Sequence, residues 1–376
     1  MLRNTNNFNK FTDQPKILIA PLDWGLGHAT RCIPLIARLL ALNCKVFIAA
    51  DKQIFTLLQK EFPSAVFLRL KGYEIRYSRN KKNFFFKMLF QFPKIAGMIR
   101  NEKKWVKKMV KEYKINAIIS DNRFGFYSKN VLSIYITHQL FIETGNYFTS
   151  IVATKIHRFF IKKYSHCWVP DFKENGFAGK LSHPEKIPSN VTYIGPLSRF
   201  TLLPSVETIY DVFISISGPE PQRTIFENII YSQLKNFKGK ALVVRGLPAE
   251  KVYLNQPGQS IEIMNHLSST DFNKCMQQSK LVICRSGYTT IMDLVKLKKS
   301  AVLVPTPGQK EQEYLADFLS EKKYFVTVPQ EDFSLQNILN SHKTLPVTYP
   351  DFSLETYKPV IDEFVLSLKK SNFAPQ

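Results

Sequence analysis

Short apolar runs alternate with helical segments along this chain, and this order constrains the fold more than any other feature. Lys16–Pro21 has the composition of a buried strand, a glycine-containing loop and a helix at about 29–42 follow, and Lys45–Ala50 resembles a second strand. Successive strands joined through a helix pair in parallel. The first fifty residues therefore predict the start of a parallel sheet with helices packed on it.

The same order continues to about residue 196 and begins again at Asp211. Between the two series, Leu197–Tyr210 contains Pro204 and no long periodic pattern, as expected of a hinge. We predict an α/β fold with two Rossmann-like, doubly wound parallel-sheet domains and a cleft between them. The predicted divisions are a first domain at 1–196, a linker at 197–210, a second domain at 211–348, and a C-terminal helix and tail at 349–376.

Composition limits the class of protein. With 376 residues, 44% of them hydrophobic, the chain has enough apolar side chains for two cores. Its five cysteines are an odd number without C-x-x-C spacing, which favours neither a disulfide framework nor a zinc site. Met1–Pro15 is polar, unlike a signal peptide, and no run approaches the roughly 20 apolar residues of a membrane span. We expect a cytoplasmic protein, either soluble or peripheral on a membrane.

Positive charge is concentrated in one stretch. The net charge is +22, and Arg69–Lys114 alone holds 15 Lys and Arg against 3 Glu, interleaved with bulky residues such as Phe84–Phe86 and Trp105. Cationic and aromatic side chains mixed in this way suit an anionic membrane surface. An ordinary helix pair with solvated lysines and a buried aromatic face explains the pattern equally well. No nucleic-acid-binding motif accompanies the charge, so we expect no nucleic-acid partner.

A strand-to-helix junction in the second half predicts an anion site. The apolar run Leu281–Cys284 breaks at a Ser-Gly pair and passes into a helical pattern, which exposes backbone N–H groups at a helix N-terminus. An arginine at the strand end, a carboxylate two turns into the helix and a polar cluster after the next strand suit a phosphate, a ribose and a sugar. The candidate residues are Arg285, Ser286, Gly287, Asp293, Gln312 and Glu313.

The first strand-to-helix turn carries Gly25, Gly27 and His28. The glycines permit a tight turn and close approach of a ligand, but the third glycine of a dinucleotide fingerprint is absent, which disfavours an oxidoreductase. His28 is a candidate general base for an incoming hydroxyl, because the pKa of histidine lies near neutrality. The alternative is a histidine that caps the backbone at the helix start.

Four further candidate residues lie at or after the ends of predicted strands. Asp121 is a second candidate base, or a partner that orients His28, or a helix cap. Gly218 opens the first loop of the second domain, and Arg223 in that loop is a candidate phosphate contact. Arg245 at the next strand end is a candidate cleft-lining residue. No H-E-x-x-H or Asp-x-Asp motif is present, so we expect catalysis without a metal.

Together these residues resemble the GT-B glycosyltransferases of the MurG type, particularly the glycosyltransferase family 28 C-terminal domain. The resemblance is closest at about 265–328 and extends to the Gly-x-Gly-His loop of the first half. It implies that the second domain binds a UDP-sugar donor and that no other cofactor is needed. Of the UDP-sugars, the resemblance favours UDP-N-acetylglucosamine.

The same resemblance implies roles for particular residues. Arg285, Ser286 and Gly287 hold the diphosphate, and the backbone near Leu267 and Ser268 meets the uracil. Asp293 bonds the ribose, while Gln312 and Glu313 contact the transferred sugar. The family usually has glutamate at Asp293 and a second glutamine at Glu313.

The expected activity is inverting transfer of a hexose to a lipid-linked or cell-envelope glycan acceptor held by the first domain. The enzyme would then be peripheral on the inner face of the cell membrane. Two alternatives remain open. The segment Gly27–Cys32 is similar to the corresponding loop of nucleotide-sugar hydrolases of pseudaminic acid synthesis, and a non-catalytic, membrane-docked GT-B scaffold would show the same half-sites.

Overall fold

The computed structural model describes residues 14–23, 25–73, 84–247, 260–341 and 355–371. Its first half contains a seven-stranded sheet with every pair of neighbouring strands parallel. The strands are β1 (Lys16–Pro21), β2 (Lys45–Ala50), β3 (Val66–Arg69), β4 (Ala117–Asp121), β5 (Leu132–Ile136), β6 (His166–Val169) and β7 (Val191–Tyr193). Their order is β3-β2-β1-β4-β5-β6-β7, so the chain reverses its winding direction between β1 and β4.

Helices cover both faces of this sheet. One face, which includes Ile17 and Ile19, packs against α1 (Leu26–Ala41) and α2 (Lys52–Glu61). The opposite face packs against α3 (Phe84–Tyr113) and α4 (Tyr147–Ile161). Successive residues of a strand point to opposite faces, so strands buried on both sides are apolar throughout. This explains why the apolar runs of the first half predict its strands.

The second half repeats the arrangement with six parallel strands. These are β8 (Tyr210–Ser215), β9 (Ala241–Val244), β10 (Ile261–Met264), β11 (Ser279–Cys284), β12 (Ala301–Leu303) and β13 (Val326–Thr327), in the order β10-β9-β8-β11-β12-β13. One face packs α6 (Ser269–Gln277), α7 (Tyr288–Lys296) and α8 (Lys310–Glu321), and the other packs α5 (Gln222–Leu234) and α9 (Leu335–Ser341). The predicted fold class, two doubly wound parallel-sheet domains, is confirmed.

The last helix returns to the first domain. Residues 194–209 form neither helix nor strand, and α10 (Tyr357–Ser371) packs Ile361 and Phe364 into the core beside α1. Arg38 on α1 donates from Nε to Asp362 Oδ1 at 2.7 Å. The chain therefore crosses between the two domains a second time near its C-terminus.

Helix α3 contains part of the basic stretch. In its described part, Val106 and Met109 are buried against the sheet, whereas Lys103, Lys107 and Lys111 are exposed. This is the arrangement of a helix with solvated lysines and a buried apolar face. The predicted membrane contact of the aromatic residues at 84–92 falls on side chains outside the described residues.

Candidate active site

The carboxyl ends of β1, β4 and β5 meet at one edge of the first sheet. The β1–α1 turn passes through Gly25, whose φ of 92° and ψ of 171° are open to glycine and costly for other residues. This turn places His28 in the first turn of α1. Because Pro21 of β1 pairs with Asp121 of β4, the loop and Asp121 lie side by side.

His28 and Asp121, both predicted site residues, are in contact. His28 Nδ1 lies 3.1 Å from Asp121 Oδ1, and the His28 side chain retains 17% exposure whereas Asp121 is fully buried. The N-terminus of α1 has no side-chain cap, so the alternative role of His28 as a backbone cap is not observed. Among the described residues, His28 Nε2 has no hydrogen-bond partner, which leaves this nitrogen for a substrate.

Arg31 keeps Asp121 ionised. It donates to both carboxylate oxygens, with Nε 3.2 Å from Oδ2. Burial alone would raise the pKa of Asp121, but the neighbouring Arg31 and His28 lower it to about 2. A carboxylate with so low a pKa is a weak base. Of its predicted alternatives, the geometry favours Asp121 as the partner that orients His28.

His138, which follows β5, joins this cluster and was not among the predicted residues. Arg31 donates to His138 Nδ1 at 2.9 Å, so this nitrogen must carry the lone pair and the proton is assigned to Nε2. His138 Nε2 then donates to Glu311 Oε1 of α8 at 2.7 Å. Burial lowers the pKa of His138, which is consistent with a neutral ring. The ring also stacks on Tyr288, with centroids 4.2 Å apart.

The N-terminus of α7 faces the His28 loop across the cleft. Thr289 Oγ1 donates to the carbonyl oxygen of Gly27 at 3.2 Å. Helix α7 has no acidic residue in its first turn, so its N–H groups and dipole present uncompensated positive potential. Three predicted residues lie here, namely Gly27, Ser286 and Gly287.

The loop between β12 and α8 closes the other side of this helix end. Ser286 Oγ donates to the backbone oxygen of Gln312 at 2.8 Å, and Gln312 Oε1 accepts from the Thr306 amide at 2.9 Å. Glu313 accepts from the Gly308 amide at 2.7 Å and pairs with Lys310 at 2.7 Å. Gln312 and Glu313 therefore lie next to α7, while their side chains hold the loop itself.

Arg285 does not face the cleft, which corrects the predicted contact with a diphosphate. It is buried, with its guanidinium donating to the backbone of Val304, Pro305 and Gln222 at 3.1 to 3.2 Å and to Gln330 Oε1 at 2.7 Å. Burial lowers the pKa of Arg285 to about 10. The side chain fastens the end of β11 to the neighbouring loops.

Arg223 was predicted to contact a phosphate and Arg245 to line the cleft, but both side chains form ion pairs inside the second domain instead. Both arginines pair with the buried Glu227, and Arg223 Nη1 lies 3.0 Å from Glu227 Oε2. Arg223 Nε also lies 2.6 Å from Glu220 Oε1. Arg245 donates to Asn265 Oδ1 at 2.7 Å. Their charges are thus compensated inside the second domain. Gly218, at the turn before α5, has a φ of 110° that other residues rarely adopt.

Asp293, on the inward side of α7, is buried and contacts the linker, which differs from the predicted ribose contact. Its Oδ1 accepts from Ser198 Oγ of the linker at 2.6 Å, and Arg199 lies 3.9 Å from Oδ2. Burial raises the pKa of Asp293 to about 6. The residue ties the linker to the second domain.

The predicted uracil contacts lie at the start of α6. Ser268 caps this helix by accepting from the Asp271 amide at 3.1 Å, and Leu267 is buried beside it. Glu61 of α2 accepts from the Ser269 amide at 3.0 Å, so the first domain reaches this helix end as well.

The described residues contain neither a cluster of metal-ligand side chains nor a membrane-spanning helix. Within the described ranges, no three side chains of His, Cys, Asp or Glu are grouped as metal ligands would be. The helices in those ranges include none that is both long and apolar enough to span a membrane.

Comparison with known proteins relates these features to one family. Residues 245–346 match the model of the glycosyltransferase family 28 C-terminal domain. Over 152 residues, the chain is 27% identical to the UDP-N-acetylglucosamine--N-acetylmuramyl-(pentapeptide) pyrophosphoryl-undecaprenol N-acetylglucosamine transferase of Haemophilus ducreyi. The match covers 39% of this chain and 42% of the relative, so the chain spans about two fifths of the relative's length.

Several solved structures resemble the whole chain. The glycotransferase of kitacinnamycin has a TM-score of 0.60 at 12% identity, with 95% of each chain covered. The spinosyn rhamnosyltransferase SpnG complexed with thymidine diphosphate has a TM-score of 0.58 at 12% identity, with 95% of this chain and 96% of that chain covered. The chain therefore has the GT-B fold of these glycosyltransferases, and residues 245–346 of its second half resemble the glycosyltransferase family 28 C-terminal domain.

Proposed function

We propose that the protein is an inverting hexosyltransferase that moves N-acetylglucosamine from a UDP donor to a lipid-linked or cell-envelope glycan acceptor. The proposed donor and sugar are those in the name of the Haemophilus ducreyi relative. One observation carries the proposal: a histidine and carboxylate pair lies beside the N-terminus of α7, with the two sides joined by the Thr289 contact to Gly27.

The donor diphosphate would bind at the N-terminus of α7. Its negative charge suits the free N–H groups and the positive end of the helix dipole. Gly287 has no side chain to block the backbone there, and Gln312 lies close to it in the first turn of α8, where the sugar would extend. Arg285 supports this end of the helix from behind.

The acceptor hydroxyl would lie against His28. His28 Nδ1 lies 3.1 Å from Asp121 Oδ1 and 3.0 Å from Arg31 Nη2. In the tautomer with the proton on Nδ1, His28 donates to Asp121, and Nε2 carries the lone pair that removes the hydroxyl proton. The acceptor oxygen forms a bond to the anomeric carbon, the bond from that carbon to the diphosphate oxygen breaks, and UDP leaves with the electron pair. Asp121 stabilises the imidazolium, and α7 stabilises the leaving diphosphate. Attack opposite the leaving group inverts the anomeric centre.

The test combines labelled UDP-N-acetylglucosamine with the purified protein and a bacterial membrane lipid extract. Label should move into the lipid fraction, and UDP should form only when the extract is present. Free sugar released at the rate of UDP formation without an extract would show a hydrolase instead. UDP binding without turnover of any UDP-sugar, in every extract, would show a non-catalytic scaffold.

A further inference from the structure

A loop of the first half of the chain lies in the core of the second half. It runs from 170 to 182, between β6 and β7, and we call it the bridging segment. Its Phe177 and Leu181 are fully buried, in one apolar cluster with Leu315 of α8. The ring centroids of Phe177 and Tyr324 lie 5.3 Å apart. The bridging segment thus belongs to one half by sequence and packs as part of the other.

One buried carboxylate shapes the bridging segment. Asp171 accepts hydrogen bonds from the amides of Phe177 and Ala178 at 2.9 and 3.1 Å, and from Ser182 Oγ at 2.6 Å. The side chain of Asp171 is itself fully buried. Disrupting such a cluster is costly, because a buried charge and several buried donors would lose their partners. The segment therefore enters the second half as a loop of fixed shape.

Hydrogen bonds fasten the bridging segment to α7 and α8. Tyr288 Oη of α7 donates to the carbonyl oxygen of Pro170 at 2.8 Å, and Tyr314 Oη of α8 accepts from the Lys180 amide at 2.9 Å. Gly179 has a φ of 50°, and a Cβ added there would overlap with Tyr314 Oη. Glycine is needed at this position both for the backbone angle and for the close approach to α8.

The bridging segment also holds the stretch of chain that carries His138. The carbonyl oxygen of Leu181 accepts from the amides of Leu140 and Phe141 at 2.7 and 2.9 Å, directly after His138. His138 in turn contacts Glu311 of α8 at 2.7 Å. Because the segment is bonded both to this stretch and to α8, it fixes the position of His138 relative to α8.

Contacts on α1 and α2 join the two halves as well. Thr289 of α7 contacts Gly27 at 3.2 Å, and Glu61 of α2 contacts Ser269 of α6 at 3.0 Å. Separating the halves would break these contacts and withdraw Phe177 from its apolar cluster. Exposure of one large apolar side chain alone disfavours the separated state by about tenfold or more. A ligand can shift this equilibrium only by its difference in affinity for the two arrangements.

We propose that the bridging segment holds the two halves in one arrangement, so that the His28 loop, His138 and the N-terminus of α7 are assembled before any donor binds. Phe177 and Gly179 are positioning residues, because they act through α8 and not on a substrate. The donor then enters a cleft that already exists, without rotation of the halves about residues 197–210.

The consequence for sugar transfer rests on the proposed function. Loosening the bridging segment moves His138 and the His28 loop away from α7 and α8, while the donor contacts within the second half stay in place. Phe177→Ala should therefore lower kcat about tenfold and leave UDP affinity unchanged.

The experiment measures the distance between the two halves with and without UDP. Spin labels are attached at Lys107→Cys of α3 and at Lys238→Cys, which follows α5; both positions are exposed. The background carries Cys275→Ser, because the other cysteines are buried. Pulsed electron paramagnetic resonance should give one narrow distance distribution for this otherwise unchanged chain, and saturating UDP should not alter it. Phe177→Ala should make the distribution about twofold wider or more in the absence of UDP.

A second variant and two controls keep this test decisive. Gly179→Ala retains Phe177 and should widen the distribution in the same way, whereas Phe177→Leu, which keeps an apolar side chain, should leave it narrow. Phe226→Ala and Gly246→Ala are matched controls inside the second half. Phe226 is fully buried, and Gly246 has a φ of 70° with the carbonyl oxygen of Ile216 2.7 Å from an added Cβ. Both controls should lower the melting temperature without widening the distribution.

Three results would overturn the proposal: a label distance in the otherwise unchanged chain that shifts when UDP binds, distributions of Phe177→Ala and Gly179→Ala as narrow as in that chain, or controls that widen the distribution equally. The widths without UDP need neither donor binding nor turnover. If the proposed function fails but this inference holds, the variants widen the distribution and no sugar is transferred. If only this inference fails, sugar is transferred by a protein whose label distance shifts with UDP.

Discussion

His138 Nε2 of the first domain lies 2.7 Å from Glu311 Oε1 of the second. This contact ends a chain of polar groups that begins at His28 and passes through Asp121 and Arg31. The candidate base is therefore linked through side chains to the helix that follows the candidate sugar loop.

We expect Glu311 to act as a positioning residue. Glu311→Ala should lower kcat about tenfold with little change in UDP affinity, because it removes a contact that aligns the domains without removing a donor ligand. Glu311→Gln, which still accepts a hydrogen bond, should retain most of the turnover. Glu321→Ala, an exposed change on the same helix, is the control. If kcat of Glu311→Ala equals that of the control, Glu311 does not position the site.

Replacing Arg285 should lower stability. Arg285→Ala leaves several buried carbonyl groups without their donor, so the free energy of unfolding should fall by about 3 kcal/mol, measured by denaturant titration. Arg100→Ala, at an exposed position, should change it little. Undiminished stability together with weak UDP binding would instead support the diphosphate contact that the sequence predicts.

Gly287 offers a test of the donor site that leaves the fold intact. Its φ is −75°, and an added Cβ would meet only Gln312 Nε2, at 3.9 Å. Gly287→Ala should therefore keep its melting temperature. If a diphosphate approaches the N-terminus of α7, the methyl group should weaken UDP binding about tenfold or more in calorimetry. Gly97→Ala, with nothing near its added Cβ, is the matched control. UDP binding unchanged by Gly287→Ala would place the diphosphate elsewhere.

The raised pKa of Asp293 predicts a pH-dependent gain in stability on substitution. The unfolded carboxyl titrates at about 4 and the folded one at about 6, so the folded state binds the proton more tightly and ionisation of Asp293 destabilises the fold above pH 6. Asp293→Asn still accepts from Ser198 and should raise the free energy of unfolding by up to about 3 kcal/mol at pH 8. The gain should vanish below pH 4.

Denaturant titrations of Asp293→Asn at the two pH values, with the exposed change Asp317→Asn as control, check this prediction. A variant less stable than wild type at pH 8 would contradict it. UDP affinity, measured on the same samples, shows whether Asp293 also contacts the ribose.

Periodicity predicts most strands, because strands buried on both faces are apolar throughout. It misses β10, whose sequence Ile261–Met264 contains a glutamate and is half-buried, and β13, which has two residues. The sequence pattern also predicts that α1 begins at residue 29, three residues later than in the structure. Glycine is a poor helix former, yet Gly27 lies in the first turn of this helix.

The order of strands along the sequence also predicts which residues of the candidate site lie close together, but only some of them. His28 and Asp121 follow strands whose carboxyl ends share an edge, so sequence order brings them together. His138 follows β5 at the same edge and the same rule would have found it. The orientation of the Arg285 side chain depends on its hydrogen bond to Gln330, and that of Asp293 depends on its hydrogen bond to Ser198. Both partners are distant along the chain. A strand-end position does not specify such partners.

The most direct test of the account is the rate of sugar transfer by His28→Ala, with UDP affinity measured on the same preparation. A general base contributes about 100-fold or more to turnover. The account predicts a loss of that size with UDP binding unchanged, because His28 acts on the acceptor from the first domain. Full turnover by His28→Ala would contradict it.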